Sequence, residues 1–534
     1  MARAPRLIEL QAPKGGLFRR LAYQKHQPFT SPELENVWPD DPILERQRIG
    51  SRPAYRLSHT TELGSGNPVR LLADVMYVAS GVHTPLSIAS ANGVLYKAAQ
   101  DATAWTSITS GVTLASNRML SAADHLQTLW ISGNNASPSA ICSYTPSTNT
   151  LAVISASAGT APTNVYNLDT WRDRLMACVD VSNPHLWYLS AAGDPTDWDY
   201  TATGLGRAVA AANTEAGRLG EPITAGLPLN DDCYMFGSTG SIAVLRGSPA
   251  APSSSIDYVS HKVGVLDRGA ITMDPGGNVW FLSRDGLYWM PAGCGQPPVS
   301  VSREMLPQEL RNIDTSTYTV TMAHDFFNRG LHIYVAKNSA DDGTGHFWVD
   351  TKQWETGDRE APGAAFFFPM KLQTDHEPFA LFELRDTTSS YSHVLAGGRD
   401  GKVRRLQSDQ HQDDGDNEIV SYAYLGPIAL GANGFFEGML QQLVGVLGAD
   451  SGDVRWEVYV GNSIEDAYNK AVATAEGRWR VSPRDANMGA NAISHPRVRG
   501  AAMFIKVRNG ENDKRWTLES IHAALAAAGK RRIG

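Results

Sequence analysis

The residue types that do chemistry in hydrolases and metalloenzymes are present in this chain, but not at the spacings that chemistry needs. The 14 histidines are spread along 534 residues with no H-E-x-x-H pair, the helical spacing that sets two imidazoles on one face around zinc. Lone histidines such as His261 and His324 therefore read as core or surface residues. Gly64-Ser65-Gly66 lacks both the G-x-S-x-G spacing and the strand-to-helix turn that lifts a nucleophilic serine. No phosphate-cradling G-x-x-x-x-G-K-[ST] occurs. Cys142, Cys178, Cys233 and Cys294 lie far apart with no C-x-x-C pair, against a zinc knuckle or redox dithiol, and all four are expected as buried thiols. The acidic run Asp413 to Glu418 does not follow the ordered ligand pattern of a calcium hand and reads as a solvated turn. Glycoside hydrolysis needs two carboxylates across a pocket, and spacing alone selects no pair among 55 Asp and Glu. No catalytic, cofactor-binding or metal residue is assigned, no cofactor is expected, and the chain reads as a non-enzyme.

The elements that would position such residues are set by composition. The chain is 42% hydrophobic and 19% charged, with 47 Lys and Arg against 55 Asp and Glu, a net charge of −8. That is a globular chain with a large core, too long for one ordinary domain. A net-acidic surface cannot neutralise many phosphates, which argues against tight non-specific binding to duplex DNA. The first thirty residues hold five arginines and lysines between Arg3 and Arg20 and no apolar run of signal-peptide length. Nor does any later stretch approach the roughly 20 apolar residues of a spanning helix. A cytosolic product that is not an integral membrane protein is expected.

Gly 49 and Pro 29 are scattered throughout, so turns recur everywhere and long helices are scarce. The repeated unit is a short β-branched or aromatic run, a tight turn and a second such run. The first case is Leu86 to Ala89, Asn92-Gly93, then Val94 to Tyr96. The grammar returns at Leu129-Trp130-Ile131 before Gly133, at Leu175 to Leu189, at Cys233 to Leu245, at Val279 to Trp289, at Leu331 to Val349 and at Val394 to Val403. Seven units over residues 86 to 406, about 40 to 60 residues apart, match the interval of four-stranded propeller blades. The expected fold is all-β: a β-propeller of about six to eight blades over 71–414, with an array of sandwiches as the alternative. From 415 to 534 a compact β-sandwich-like domain is expected, with strands at Ser421 to Leu425, Leu440 to Leu447, Val454 to Val460, Ala501 to Val507 and Trp516 to Ala523. Its one helix, Ser463 to Thr474, has Ser463 as N-cap and Glu465 and Asp466 in the first turn. Residues 1–70 read as an extended arm plus one strand, beginning near Arg52-Pro53, that completes a blade.

Ser283-Arg284-Asp285-Gly286-Leu287-Tyr288-Trp289 resembles the Asp-box hairpin of sialidase propellers, one residue short between Asp and Gly. Asp285 is expected to cap the turn by accepting from nearby backbone N–H groups. The longer stretch from Tyr258 through Gly264, Arg268, Asp285 and Gly286 to Tyr288, followed by Val299-Ser300-Val301-Ser302 and a helix over 304–310, resembles a blade of tail proteins of short-tailed bacteriophages. These are the nozzle or tubular tail proteins and the related DNA-stabilisation tail factors. Arg48-Ile49-Gly50-Ser51-Arg52-Pro53 is similar to their first strand, with Ala54 where Gly is usual. Arg499-Gly500-Ala501, Trp516 to Glu519 and Gly529-Lys530-Arg531-Arg532 are similar to their closing β domain.

The resemblance covers about two fifths of the chain and carries no catalytic residues. It implies a structural virion protein: a homo-oligomeric ring, commonly a hexamer, docked to the head-to-tail adaptor, with tail fibres as a further partner, and forming the channel for genome ejection. The location implied is the virion tail, assembled in the host cytoplasm and meeting the host cell envelope indirectly. A net-acidic lumen would let DNA translocate without tight binding, and segment 1–50 is expected to lie against a neighbouring subunit or the adaptor. The alternatives are a glycoside hydrolase and a glycan- or receptor-binding propeller at the tail tip. In the latter, Trp198 and Tyr200 line the site; the competing reading places them at a blade corner.

Overall fold

In the computed structural model the described residues are 5–41, 46–100, 102–293, 295–303, 305–339, 343–352, 366–384, 393–407, 411–431, 436–448, 451–452, 454–473, 489–509 and 514–530. Among them, seven antiparallel four-stranded sheets follow one another along the chain. Their first strands are Val69–Ala79, Ala122–His125, Val165–Thr170, Ile223–Asn230, Ile271–Met273, Tyr318–Asp325 and Pro378–Leu384. Each first strand packs against that of the next sheet, with the 3-10 turn Arg268–Ala270 serving between sheets four and five, and the seventh packs back on the first. The sheets therefore form a closed ring of seven blades with these strands innermost. All seven hairpins read from the sequence are present, each as the second and third strands of a blade.

Why these runs become the middle of a blade follows from burial. Cys233–Ser238, Val279–Ser283 and Gly286–Met290 are buried at every position, because both faces of a blade are covered by neighbours. Fourth strands such as Thr106–Ser107 are two residues long and exposed, which keeps the outer edges short.

Blade seven takes its fourth strand from the other end of the chain: Ala54–Leu57 pairs antiparallel with Val403–Gln407. The N-terminal segment is extended, as expected, and its described part is bonded within its own chain. Arg6–Glu9 adds to the sandwich sheet of Leu518–Lys530, Phe436–Leu447 and Gly489–Gly500, and Leu34–Glu35 adds to the facing sheet of Tyr422–Ala429, Ala502–Asn509 and Val454–Gly461. The sandwich core (Leu440, Trp456, Ile505, Ile521) is continuous with apolar side chains of blades five and six. Trp38 seals the join by stacking on Trp348 at 4.3 Å.

Helix α1 (Ile464–Ala473) starts where expected, with the Ser463 hydroxyl accepting from Asp466 N at 3.0 Å; Thr474 lies outside the described residues. The helix expected over 304–310 is not formed in its described part, which makes separate turns: Met305 N and Leu306 N both donate to Ser302 O, and Arg311 N donates to Gln308 O. Pro307, lacking an N–H, cannot extend the first of them. No helix among the described residues is long and apolar enough to cross a membrane.

Candidate functional site

Two regions concentrate buried charge. The first is the join between propeller and sandwich. The Arg52 guanidinium donates to both oxygens of Asp413 at 3.0 and 2.6 Å and, through Nε, to Asn36 Oδ1 at 2.9 Å. Burial opposes the Arg52 charge, yet the Asp413 carboxylate more than offsets it and raises the pKa. Asp413 also accepts from Tyr55 N at 2.7 Å, which fixes the start of the closing strand of blade seven. Asp413 is thus a buried ion-pair partner and not the solvated turn expected. From Tyr55 a hydroxyl chain runs to Tyr334, then to His332 Nδ1 at 3.0 Å, and from His332 Nε2 to Asp325 at 3.3 Å. Such a series can relay a proton in an accessible site; here all four side chains are buried, and the bonds tie blade six to blade seven. Asp41 also accepts from Arg48 and faces Arg515 at 3.5 Å, joining the N-terminal segment to the lead-in of the last sandwich strand.

The second region is the propeller axis. At the end where the innermost strands begin, the near end, Arg268 reaches from the lead-in of blade five to blades two and three. It donates to Leu120 O and to Tyr166 O. Burial lowers its pKa to about 10. Its side chain spans the axis, and the adjacent Gly269 leaves room for Val320 O, which a Cβ would meet at 2.2 Å. Towards the far end the lining turns acidic. Burial, with Asp124 opposite, pushes Asp74 up to about 6, and burial pushes Asp169 up to about 6 although Tyr234 and Asn167 donate to it. Asp124 itself accepts from Met76 N at 3.2 Å. Carboxyls raised to near 6 have the protonation range of general acids, but Asp169 is occupied in tying blade three to Tyr234 of blade four. Two cavities of about 450 and 520 Å³ lie instead at the sandwich and at its join to the propeller.

The residues weighed from sequence fall as follows. Trp198 is fully buried and bridges to Gly159, so it is a blade-corner residue and not an exposed platform for a sugar. Asp285 accepts from the Tyr288 hydroxyl at 2.8 Å instead of from backbone N–H groups. Cys233 is disulfide-bonded, which corrects the reading of four thiols; Cys142 and Cys178 are free and buried, and Cys294 lies outside the described residues. His261 stacks on Tyr258 at 4.8 Å and His324 is buried. Ser65 sits in an exposed turn at φ 54°. Among the described residues, no three His, Cys, Asp or Glu converge to hold a metal ion. Arg52 and Asp413 were both in view in the sequence; their pairing across 361 positions was not.

The seven sheets make the chain a seven-bladed β-propeller carrying a β-sandwich. No protein-family model matches it, and no curated protein is similar to it. Among solved structures, YCF48 from Cyanidioschyzon merolae is 11% identical over 66% of this chain and 99% of its own, with a TM-score of 0.40. The WD40 β-propeller domain of Doa1 is 13% identical over 66% and 97%, at 0.32. The extracellular domain of a putative one component system from B. thetaiotaomicron is 12% identical over 94% and 63%, at 0.41.

Proposed function

We propose that the chain is a structural subunit of the tail of a short-tailed bacteriophage, building the ring-shaped nozzle or tube below the head-to-tail adaptor through which the genome leaves. The observation that supports this reading is the use made of the stretch resembling those tail proteins, Tyr258 to Tyr288. Its distinctive residues each serve construction. Gly264 lies so close to Ser238 O that a Cβ would sit 1.9 Å away. Arg268 ties blade five to blades two and three. Gly286, at φ 131°, pairs with Ser283 in a two-residue hairpin, and Tyr288 donates to Asp285. The resemblance is thus one of architecture, and the buried ion pairs at the joins serve the same end.

The test is negative-stain microscopy of the purified chain alone and mixed with its cognate adaptor. A closed ring with an axial channel, stacking on the adaptor, is the expected result. A monodisperse monomer that ignores the adaptor would overturn the reading and turn attention to glycan arrays and hydrolase assays.

A further inference from the structure

Three arginines at the near end of the propeller axis carry charge that no ion pair in the described chain neutralises. The groups concerned stand at one level. Arg70, Tyr166 and Phe379 are the second residues of the innermost strands of blades one, three and seven. Leu120 N donates to Arg70 O at 2.8 Å, which brings Arg118, in the lead-in of blade two, beside them. Arg268 reaches in from blade five, and next to it a Cβ on Gly269 would meet Met119 Cε at 2.7 Å. Arg268 and Met119 thus close the axis, and its near end is a mouth that does not run through.

The Arg70 guanidinium lies over the Phe379 ring at 4.8 Å. Among the described residues it makes no hydrogen bond and no ion pair, and its Nε is buried without an acceptor. Arg118 lies over Tyr166 at 3.5 Å and gives one hydrogen bond, to Ser139 Oγ at 3.1 Å; its Nε is likewise buried without an acceptor. Arg268 donates to two carbonyls and to no carboxylate. Burial lowers the pKa of all three, and Arg399 lowers that of Arg70 further.

Arg399 shows how an arginine at this level is settled when its role is structural. It stands 4.9 Å from the same Phe379 ring, but donates to Glu377 at 2.9 Å and to the carbonyls of Thr374 and Lys337. Arg70 has no such anchor. Asp74, the first acid on its strand, comes four residues later, about 13 Å away at about 3.3 Å per residue. A partly buried cation without a counter-charge is costly to the fold, and an aromatic face offsets only part of that cost. In a concave mouth such a group marks a place where a ligand brings the missing charge.

We propose that the near mouth of the propeller axis is an anion site for a phosphate-bearing ligand, held by Arg70 and Arg118 with Arg268 behind them. Guanidinium forks bond phosphate oxygens in pairs. A phosphate group brings nearly two negative charges and three acceptor oxygens, against the single charge of a carboxylate, and three uncompensated arginines from three blades suit the former. Phosphates of a free small molecule and of a nucleic-acid strand share this chemistry. The site lies within one chain, so it goes beyond the tail reading and does not depend on it.

The test titrates the full chain with tripolyphosphate by calorimetry, at an ionic strength held constant with sodium chloride. Wild type should bind one tripolyphosphate per chain and melt higher in its presence. Arg70→Met and Arg118→Met should each weaken binding at least about tenfold, while Arg6→Met, on an exposed and distant strand, should leave it unchanged. Since neither mouth arginine holds an ion pair, both variants should melt no lower than wild type without ligand. Should either methionine variant fail to fold, Arg70→Lys keeps the charge, loses the fork and should still bind more weakly than wild type. A short single-stranded oligonucleotide that displaces tripolyphosphate assigns the site to nucleic-acid phosphates; one that does not assigns it to a free phosphate compound. Wild type that ignores tripolyphosphate would overturn the proposal. So would variants that melt lower yet bind as wild type, equal weakening by Arg6→Met, or tighter Arg70-dependent binding of a glutamate peptide.

Discussion

Arg52 and Asp413, 361 positions apart, meet in a buried two-pronged ion pair where the propeller passes into the sandwich. Arg52 leads into the strand that closes blade seven, and Asp413 follows that blade's third strand. One carboxylate therefore fixes both chain segments at the place where the ring is shut.

Removing one member leaves the other charge buried without its partner, so Asp413→Ala should destabilise the fold by about 3–5 kcal/mol. Arg52→Lys keeps the charge but loses the planar fork and should fall between that variant and wild type. Denaturant titrations followed by tryptophan fluorescence check the order; equal stability of all three proteins would contradict it.

Gly264→Ala tests the tight crossing in blade four. An added methyl 1.9 Å from Ser238 O forces the backbone apart, and a loss of about 1–3 kcal/mol is expected. Gly111→Ala, where nothing lies within 4 Å of the added carbon, should melt within about 0.5 kcal/mol of wild type.

Asp74 and Asp169 predict the pH dependence of stability. Each has a folded pKa raised to about 6 from an ordinary value of 3.8, so between these values the folded state holds more protons than the unfolded one. Stability from these groups is present below pH 4 and lost as the pH rises to about 6. The double variant Asp74→Asn/Asp169→Asn should flatten the melting-temperature profile between pH 4 and 6. A profile unchanged in that window would show that neither carboxyl is shifted.

The cysteines give a chemical check. Burial pushes the Cys142 thiol up to about 12 and raises that of Cys178, so neither should react with a thiol reagent in the native protein. Unfolding without reductant should expose both, and Cys233 should be labelled only after reduction. Native labelling of Cys142 or Cys178 would contradict their burial.

The propeller was legible because second and third strands are covered on both faces and so read as unbroken apolar runs: Val279 to Leu282, Leu287 to Trp289. Fourth strands such as Thr106–Ser107 and Val209–Ala210 are too short to leave a pattern. The strand Ala54–Leu57 was legible as the start of regular structure, while its partner, some 350 residues later, was not. Charge was harder still. Asp413 stands in a run of acidic and glycine residues that reads as solvated, and only its distant arginine makes it interior. Arg268 stood within a recognisable stretch, but its reach across the axis exists only once seven blades have closed.

The stitching of the first strands into the last sheets also sets a timetable for biosynthesis. Arg6 pairs with Leu525, so this first strand must wait for the last, about half a minute to two minutes at ordinary elongation rates. Until then one side of the sandwich stands open. Blades one to six, each local in sequence, can form during that interval; blade seven closes once Val403–Gln407 has emerged to meet Ala54–Leu57, and the sandwich completes folding last. A polypeptide stalled before Val403 would thus hold an unclosed ring, and one stalled before Leu518 an open sandwich, each a ready client for chaperones and proteases.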